Sequence, residues 1–403
     1  MAAKGNILTQ SHRVTEKVRL GEVCKLVRGV SYKPQDAVGE ARAGYVPLLR
    51  ANNIGINGLN HDDLVYVKCE CVHEDQFVCK GDLLVCASSG SKHLVGKAAQ
   101  ISFDGKETFG AFCKVIRPNA RKCDFNYLAN YFQSDVYRRT ISDKAAGANI
   151  NNIRSEHLEE LQILLPPLAE QKRIAAVLDK ICELKKNAEA QIENLDLFVK
   201  SRFSEMFGDL VANDRGWEFS PLGKVCDVRD GTHASPKYHT QGYPLMTSKN
   251  FTEGYEDFSD VKLISKEDFD EINKRSRVDL GDIVMPMIGT IGNPVIIKTD
   301  REFAIKNVSL IKFTNESPIN MFVKAVLSSQ YFQRVVEEKN RGNTQKFIAL
   351  GDIRGFLLPL PPLALQREFA AFVEKVDKLK DVAKKSVEEM DTLYRAKLQE
   401  YFG

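Results

Sequence analysis

The sequence of 403 residues carries 57 Lys and Arg against 54 Asp and Glu, a formal charge of +3, with 43% hydrophobic and 28% charged residues. That length supports two or more domains with separate cores, and no apolar run approaches the roughly 18 residues that suggest a membrane span. The weak positive balance does not by itself point to nucleic acid, so a surface for DNA has to be locally arranged or completed by a partner.

The first 18 residues are polar and lack an apolar signal core, which makes the cytoplasm the expected location. Seven of the nine cysteines lie within the first 123 residues. Cys69 and Cys71 lack the second pair that a four-ligand metal site needs, and Cys79 and Cys86 read as small buried residues. Free thiols fit a reducing compartment.

In chain order, RLGEVCKLVR (19–28) leads through the polar turn GVSYKPQ into YVPLLRANNI (45–54), a short strand opening into a loop. FVCKGDLLVCASSGSKHLVGKAAQI (77–101) sets a Gly-Asp turn before an apolar strand and a Gly-rich loop after it. Val, Ile, Phe and Tyr punctuated by Gly and Asn indicate short curved strands in a twisted mixed or antiparallel sheet. YLANYFQSDVYRR (127–139) predicts a helix, and the loop GANINNI (147–153) follows.

Pro166-Pro167 then stiffens the approach to a long helix. Residues 169–206 contain neither Pro nor Gly, and these 38 residues would span about 57 Å as a helix. An apolar seam at Val177, Ile181, Leu184, Ala188, Leu195 and Phe198, with polar Gln191 at one position, alternates steps of four and three, as a coiled coil requires.

Everything recurs in the second half. LGKVCDVR (222–229), GTHASPKY (231–238), YPLMTSKNF (243–251), RVDLGDIVMPMIGTIGNPVIIKT (277–299) and FVKAVLSSQYFQRV (322–335) follow in the same order. An offset of 195 carries Pro166-Pro167 onto Pro361-Pro362 and Gln171 onto Gln366. The same offset carries the seam onto Phe372, Val376, Leu379, Ala383, Met390 and Leu393. The expected boundaries are 1–163 for a sheet-rich domain, 164–208 for a long helix, 209–357 for a second domain and 358–403 for a second helix. The fold class is α+β: two similar sheet-rich domains separated by two long antiparallel coiled-coil helices, in a pseudo-two-fold internal repeat.

Signatures of catalysis are missing. There is no GxxxxGK[ST] phosphate loop, no HExxH pair and no GxSxG elbow. Asn293-Pro294 is not followed by a second proline and an aromatic residue, so the amino-methylating signature is absent too. The histidines lack metal-ligand spacing apart from His233 and His239, which sit in a Gly/Pro-punctuated loop. Two cofactor-free domains on a stiff spacer describe a binding device rather than an enzyme.

The paired motifs LLPPLAEQKRIAAVLDKI and LPLPPLALQREFAAFVEKV, with VRDGTHASP at 228–236, make the chain resemble the DNA specificity subunit of Type I restriction-modification systems, over nearly its whole length. The first half departs from the third motif, with VRGVSYKP at 27–34. The resemblance implies two target recognition domains, each reading part of a split sequence in double-stranded DNA. It also implies paired helices that dock two modification subunits, which carry S-adenosylmethionine and methylate adenine. A restriction subunit using ATP and Mg can join. The chain itself would hold no cofactor or metal, meet no membrane, and have no chemistry of its own. The alternative reading is a non-catalytic adaptor that binds proteins through two domains on a coiled-coil spacer.

Readers of base edges need donors and acceptors on loops. The candidates in the first domain are Ser31, Tyr32, Lys33, Arg50, Asn52, Asn53, Ser89, Lys92, His93 and Asn149. In the second domain they are Thr232, His233, Ser235, Thr247, Lys249, Asn250, Thr290, Asn293, Arg341, Asn343 and Gln345.

Overall fold

The computed structural model describes residues 15–55, 58–90, 94–146, 152–288, 291–314, 318–340 and 347–403. The chain forms two compact units, Met1–Glu189 with Lys385–Gly403 and Ala190–Lys384. Each contains one set of sheets and a stretch of both long helices.

The first unit has an antiparallel sheet in the spatial order Cys24–Arg28, Cys113–Pro118, Leu83–Cys86, Ala98–Gln100. Its second sheet runs Thr108–Phe109, Tyr45–Leu49, Val65–Lys68, Ala37–Val38, with the first pair parallel. The second unit repeats both: Asp227–Asp230, Val308–Lys312, Ile283–Pro286, Val295–Ile296, and Lys262–Ile264, Tyr243–Met246, Ala304–Ile305. The strand Leu83–Cys86 reads as an unbroken apolar run because it is buried on both faces. Leu83 and Val85 join the core under the helices, while Leu84 and Cys86 join the core between the sheets. Ile283 and Met285 divide from Val284 in the same way. Of the two cysteines expected to be buried, Cys86 is, but Cys79 is exposed.

The Gly-Asp turns before these strands are anchors. Asp82, 1% exposed, accepts from the backbone N–H of Cys79 (2.8 Å) and pairs with Arg117 (2.8 Å) on the neighbouring strand. Asp282 accepts from Asp279 N–H (2.8 Å) and pairs with Lys312 (2.5 Å). The single helix expected near 127–139 is two, Phe125–Tyr131 and Asp135–Ala146, and its counterpart is Asn320–Leu327 and Gln330–Lys339. The breaks fall at Ser134 and Ser329, whose hydroxyls donate to the carbonyls of Tyr131 and Val326 at 2.6 Å. Such local side-chain bonds compete with helix continuation.

The long helices are Leu168–Phe207 and Leu363–Phe402. They pack antiparallel: Lys185 pairs with Asp391 (2.7 Å) in the first unit, and Lys380 with Asp196 (2.6 Å) in the second. The buried or half-buried line on the first helix is Ile174, Leu178, Ile181, Lys185, Ala188, Ile192, Leu195, Val199, Phe203 and Phe207. Adding 195 to each number gives the corresponding line on the second, with Lys380 where Lys185 stands. Ile181, Ala188, Leu195, Val376, Ala383 and Met390 of the expected seam lie on it, with Val177 and Phe372 at its margin. Leu184, Leu379 and Leu393 do not, being 40–54% exposed, whereas Phe198, also 54% exposed, still meets the ring of Phe372 on the other helix at 5.1 Å. At Leu184 and Leu379 the frame slips by one because the next residue, Lys185 or Lys380, occupies the seam site, its stem lying along the apolar line and its ammonium on an aspartate.

Gln171 (1% exposed) and Gln366 (2%) fasten the start of each long helix. Gln171 donates to Pro166 O (2.7 Å) and accepts from Asp124 N–H (2.8 Å) at the start of helix Phe125–Tyr131. Gln366 repeats this with Pro361 O (2.8 Å) and Ile319 N–H (2.9 Å). Gln171→Ala orphans a buried donor and a buried acceptor and is expected to cost about 1–3 kcal/mol, read as a lower denaturant midpoint. An unchanged midpoint would show that water replaces the carboxamide.

Candidate nucleic-acid interface

In each unit the loop tips of both sheets converge. In the first, Val30 N–H donates to Phe109 O (2.7 Å) and Ala111 N–H to Val30 O (3.0 Å). Ala87 and Ser88 N–H both donate to Phe112 O (2.9 and 3.0 Å), and Ser88 bridges Asn152. In the second, Thr232 N–H donates to Ile305 O (3.0 Å), Asn307 N–H to Thr232 O (3.1 Å), and Ile288 bridges Phe347. Glycine is required at the crossing: a Cβ on Gly29 would strike Gly110 O, and one on Gly231 would strike Ile305 O. The backbone frame is therefore shared, and the side chains mounted on it differ.

Ser31 and Lys33 are exposed on this cluster, and Tyr32 packs partly against the apolar residues beneath it. Ser89 lies beside Ser88 and is half-buried. Thr232, His233 and Ser235 sit together on the equivalent loop. His233 meets Asp230 Oδ2 through Nε2 and Asn307 Oδ1 through Nδ1, both at 2.9 Å. Asp230 also pairs with Arg275, Ser235 Oγ accepts from Lys306 Nζ (2.6 Å), and Thr232 Oγ1 accepts from Ala234 N–H (3.1 Å). Nearby, the Asp227 carboxylate hydrogen-bonded to Arg229 raises that guanidinium's pKa.

A second group lies on the turns after strands Tyr45–Leu49 and Tyr243–Met246. Here and on the loop before strand Val295–Ile296, three carboxamides are committed to the backbone. Asn53, fully buried, accepts from Arg50 N–H (2.9 Å) and donates to Asp62 O (2.9 Å). Asn250, 5% exposed, accepts from Thr247 N–H (3.0 Å) and donates to Asp257 O (3.0 Å) and Asp260 O (3.1 Å). Asn293 donates to Phe251 O (3.2 Å) and Thr252 O (2.9 Å). These hold loops in shape. Arg50 is paired with Asp63 (2.9 Å), while Asn52 and Lys249 are exposed and Thr247 is half-buried. Lys92, His93, Asn149, Thr290, Arg341, Asn343 and Gln345 lie outside the described residues.

Sequence reasoning passed over Asp230, Arg275, Lys306 and Asn307. The available signal was the Lys306-Asn307 step between two short apolar strands, where Asn307 adopts a positive φ of 57°. Among the described residues no group of three His, Cys, Asp or Glu could hold a metal ion, and no helix is long and apolar enough to cross a membrane.

The sequence matches the family described as Type I restriction modification DNA specificity domain over residues 14–194 and 214–390. It is 29% identical over 388 residues to the Type I restriction enzyme EcoKI specificity subunit of Escherichia coli K12, covering 91% of this chain and 82% of that one. The StySPI specificity subunit of Salmonella potsdam is also 29% identical, with the same coverage. Among solved structures, the S subunit of a Type I system from M. genitalium aligns with a TM-score of 0.57 at 16% identity, covering 98% of this chain and 97% of that one. A chain from a study of complex assembly and conformational transition in the type I R-M system aligns with a TM-score of 0.58 at 19% identity, covering 96% and 97%.

Proposed function

This chain belongs to the Type I restriction-modification DNA specificity family, and on that premise we propose that each compact unit reads one part of a split duplex sequence through its loop cluster. The family makes it a non-catalytic subunit that supplies sequence-specific DNA recognition and a scaffold for the restriction-modification complex. What carries the finer reading is the duplicated loop frame with unlike side chains: Ser31 and Lys33 in one unit, the His233–Asp230–Asn307 cluster with Lys306 in the other. A shared frame holds position on the duplex, and different side chains read different bases.

The scaffold role falls to the outward faces of the long helices. Leu184 and Leu393 in the first unit, and Leu197, Leu379 and Val382 in the second, are 40–70% exposed. Modification subunits seat there, bringing S-adenosylmethionine and the methylating chemistry. A restriction subunit, where one joins, brings ATP and Mg.

The test uses the assembled modification complex and duplexes with either half-site scrambled. His233→Ala, which removes the ring holding Asp230 and Asn307 in place, should weaken binding by roughly 5- to 100-fold through one half-site only, the range of one disturbed base contact. Wild-type binding should fall steeply with salt. Equal loss through both half-sites, or none, would sink the assignment of one half-site to each cluster.

A further inference from the structure

The loop clusters hold one feature that polar readout does not use. Phe112 is 70% exposed on the turn whose carbonyl receives Ala87 and Ser88 N–H. Counted back along the strand its counterpart is Asn307, but the inter-sheet bonds set Ala111 on Asn307, so Phe112 is an extra residue on the first unit's turn. The second unit carries its own exposed ring, Phe347 at 48%, across from Ile288, where the first unit has Asn152 across from Ser88. A single exposed apolar side chain needs no explanation. Two phenyl rings, one at each loop cluster, the first on a turn longer by one residue and the second where the other unit has Asn152, do.

Both rings stand on fixed backbone. Phe112 O is held by two N–H donors, and Phe347 N–H donates to Asn340 Oδ1 at 2.7 Å, Asn340 being 8% exposed. Phe112 follows Ala111, whose N–H donates to Val30 O next to the exposed Ser31 and Lys33, and Phe347 lies across from Ile288, itself 37% exposed. The Phe112 setting, one ring beside polar and basic side chains, differs from the helix faces, where several apolar side chains share one surface, and it fits DNA better than a protein; Phe347 stands at the matching loop cluster of the second unit. The apolar group on a base edge is the C5-methyl of thymine, which faces the major groove.

We propose that Phe112 and Phe347 are specificity-determining residues, each laying its ring against a thymine C5-methyl in the half-site its unit reads. The proposal rests on the DNA-reading function of the clusters. A polar side chain at the same spot would read a donor or acceptor instead, so Phe347 where the other unit has Asn152 changes what the half-site demands.

The experiment measures binding of the assembled complex to duplexes in which each thymine of the half-sites is replaced in turn by deoxyuridine. With the wild-type chain, one position in each half-site should weaken binding about fourfold, the worth of one buried methyl group. Phe112→Ala should bind the thymine duplex more weakly and lose its response to deoxyuridine at the position in one half-site. Phe347→Ala should do the same in the other. Phe112→Leu should retain part of the response, and both positions are exposed enough for the variants to fold. The proposal is overturned if no thymine is sensitive, if the alanine variants respond as wild type does, or if 2-aminopurine beside the site brightens, showing that the ring unstacks bases instead. Failure of the underlying function looks different: wild type would then not distinguish the target from a scrambled duplex at all.

Discussion

Replacing Asp82 by Ala is expected to destabilise the first unit by roughly 3–5 kcal/mol, the cost of breaking a buried ion pair from one side. The carboxylate is 1% exposed, and its removal strands both Arg117 and the N–H of Cys79. Arg117 keeps only the carbonyls of Asp75 (3.3 Å) and Phe77 (2.8 Å). The Asp82 hydrogen bond raises the pKa of Arg117, so the guanidinium stays charged at any working pH. Asp282→Ala should cost less. Lys312 retains Asp279 at 2.8 Å, a second carboxylate that Arg117 lacks. Denaturant unfolding of the two variants would check the order. A larger loss for Asp282→Ala would mean that the two Gly-Asp turns, alike in geometry, do not anchor their strands alike.

The second large effect sits at the ends of the long helices. Phe402, 3% exposed, packs on Tyr127 and Tyr131 with ring centroids at 5.1 and 5.7 Å, inside the core of the first unit. Phe207, fully buried, packs on Phe322 (4.7 Å) and Phe369 (5.5 Å) in the second. Truncating either to Ala should cost about 3–5 kcal/mol. The functional signature is crossed in sequence: Phe402→Ala should impair the half-site read by the N-terminal domain, and Phe207→Ala the one read by the second domain. Leu393→Ala, at a position 40% exposed, should cost less than ~1 kcal/mol. A large loss there would restore Leu393 to the seam and refute the observed frame.

The duplication was legible because a long helix tolerates no insertion, so the offset of 195 holds from Pro166 to Gly208, which fall on Pro361 and Gly403. In the sheet domains the offset drifts, from 202 at Leu20 and Leu222 to 200 at Asp82 and Asp282 and 197 at Asn53 and Asn250, as loops differ in length. Pattern reading followed those drifts because Gly-Asp turns and apolar strands are local signals. It slipped on the helix seam because Leu184 looks more like a core residue than Lys185, and only the aspartate across the interface makes the lysine fit. It could not separate Asn53 from Asn52. A carboxamide that caps a turn and one that reads adenine need the same donor and acceptor, and burial alone distinguishes them. The exposed phenyl rings escaped notice because a search for hydrogen-bonding readers passes over apolar ones.

The most direct measurement is a map of adenine methylation in cells with and without this chain, the modification subunit being present in both. A split motif methylated only when the chain is present is the predicted result, and it would deliver both half-sites together. With the modification subunit folded and active, a methylation pattern indifferent to the chain would contradict the specificity role.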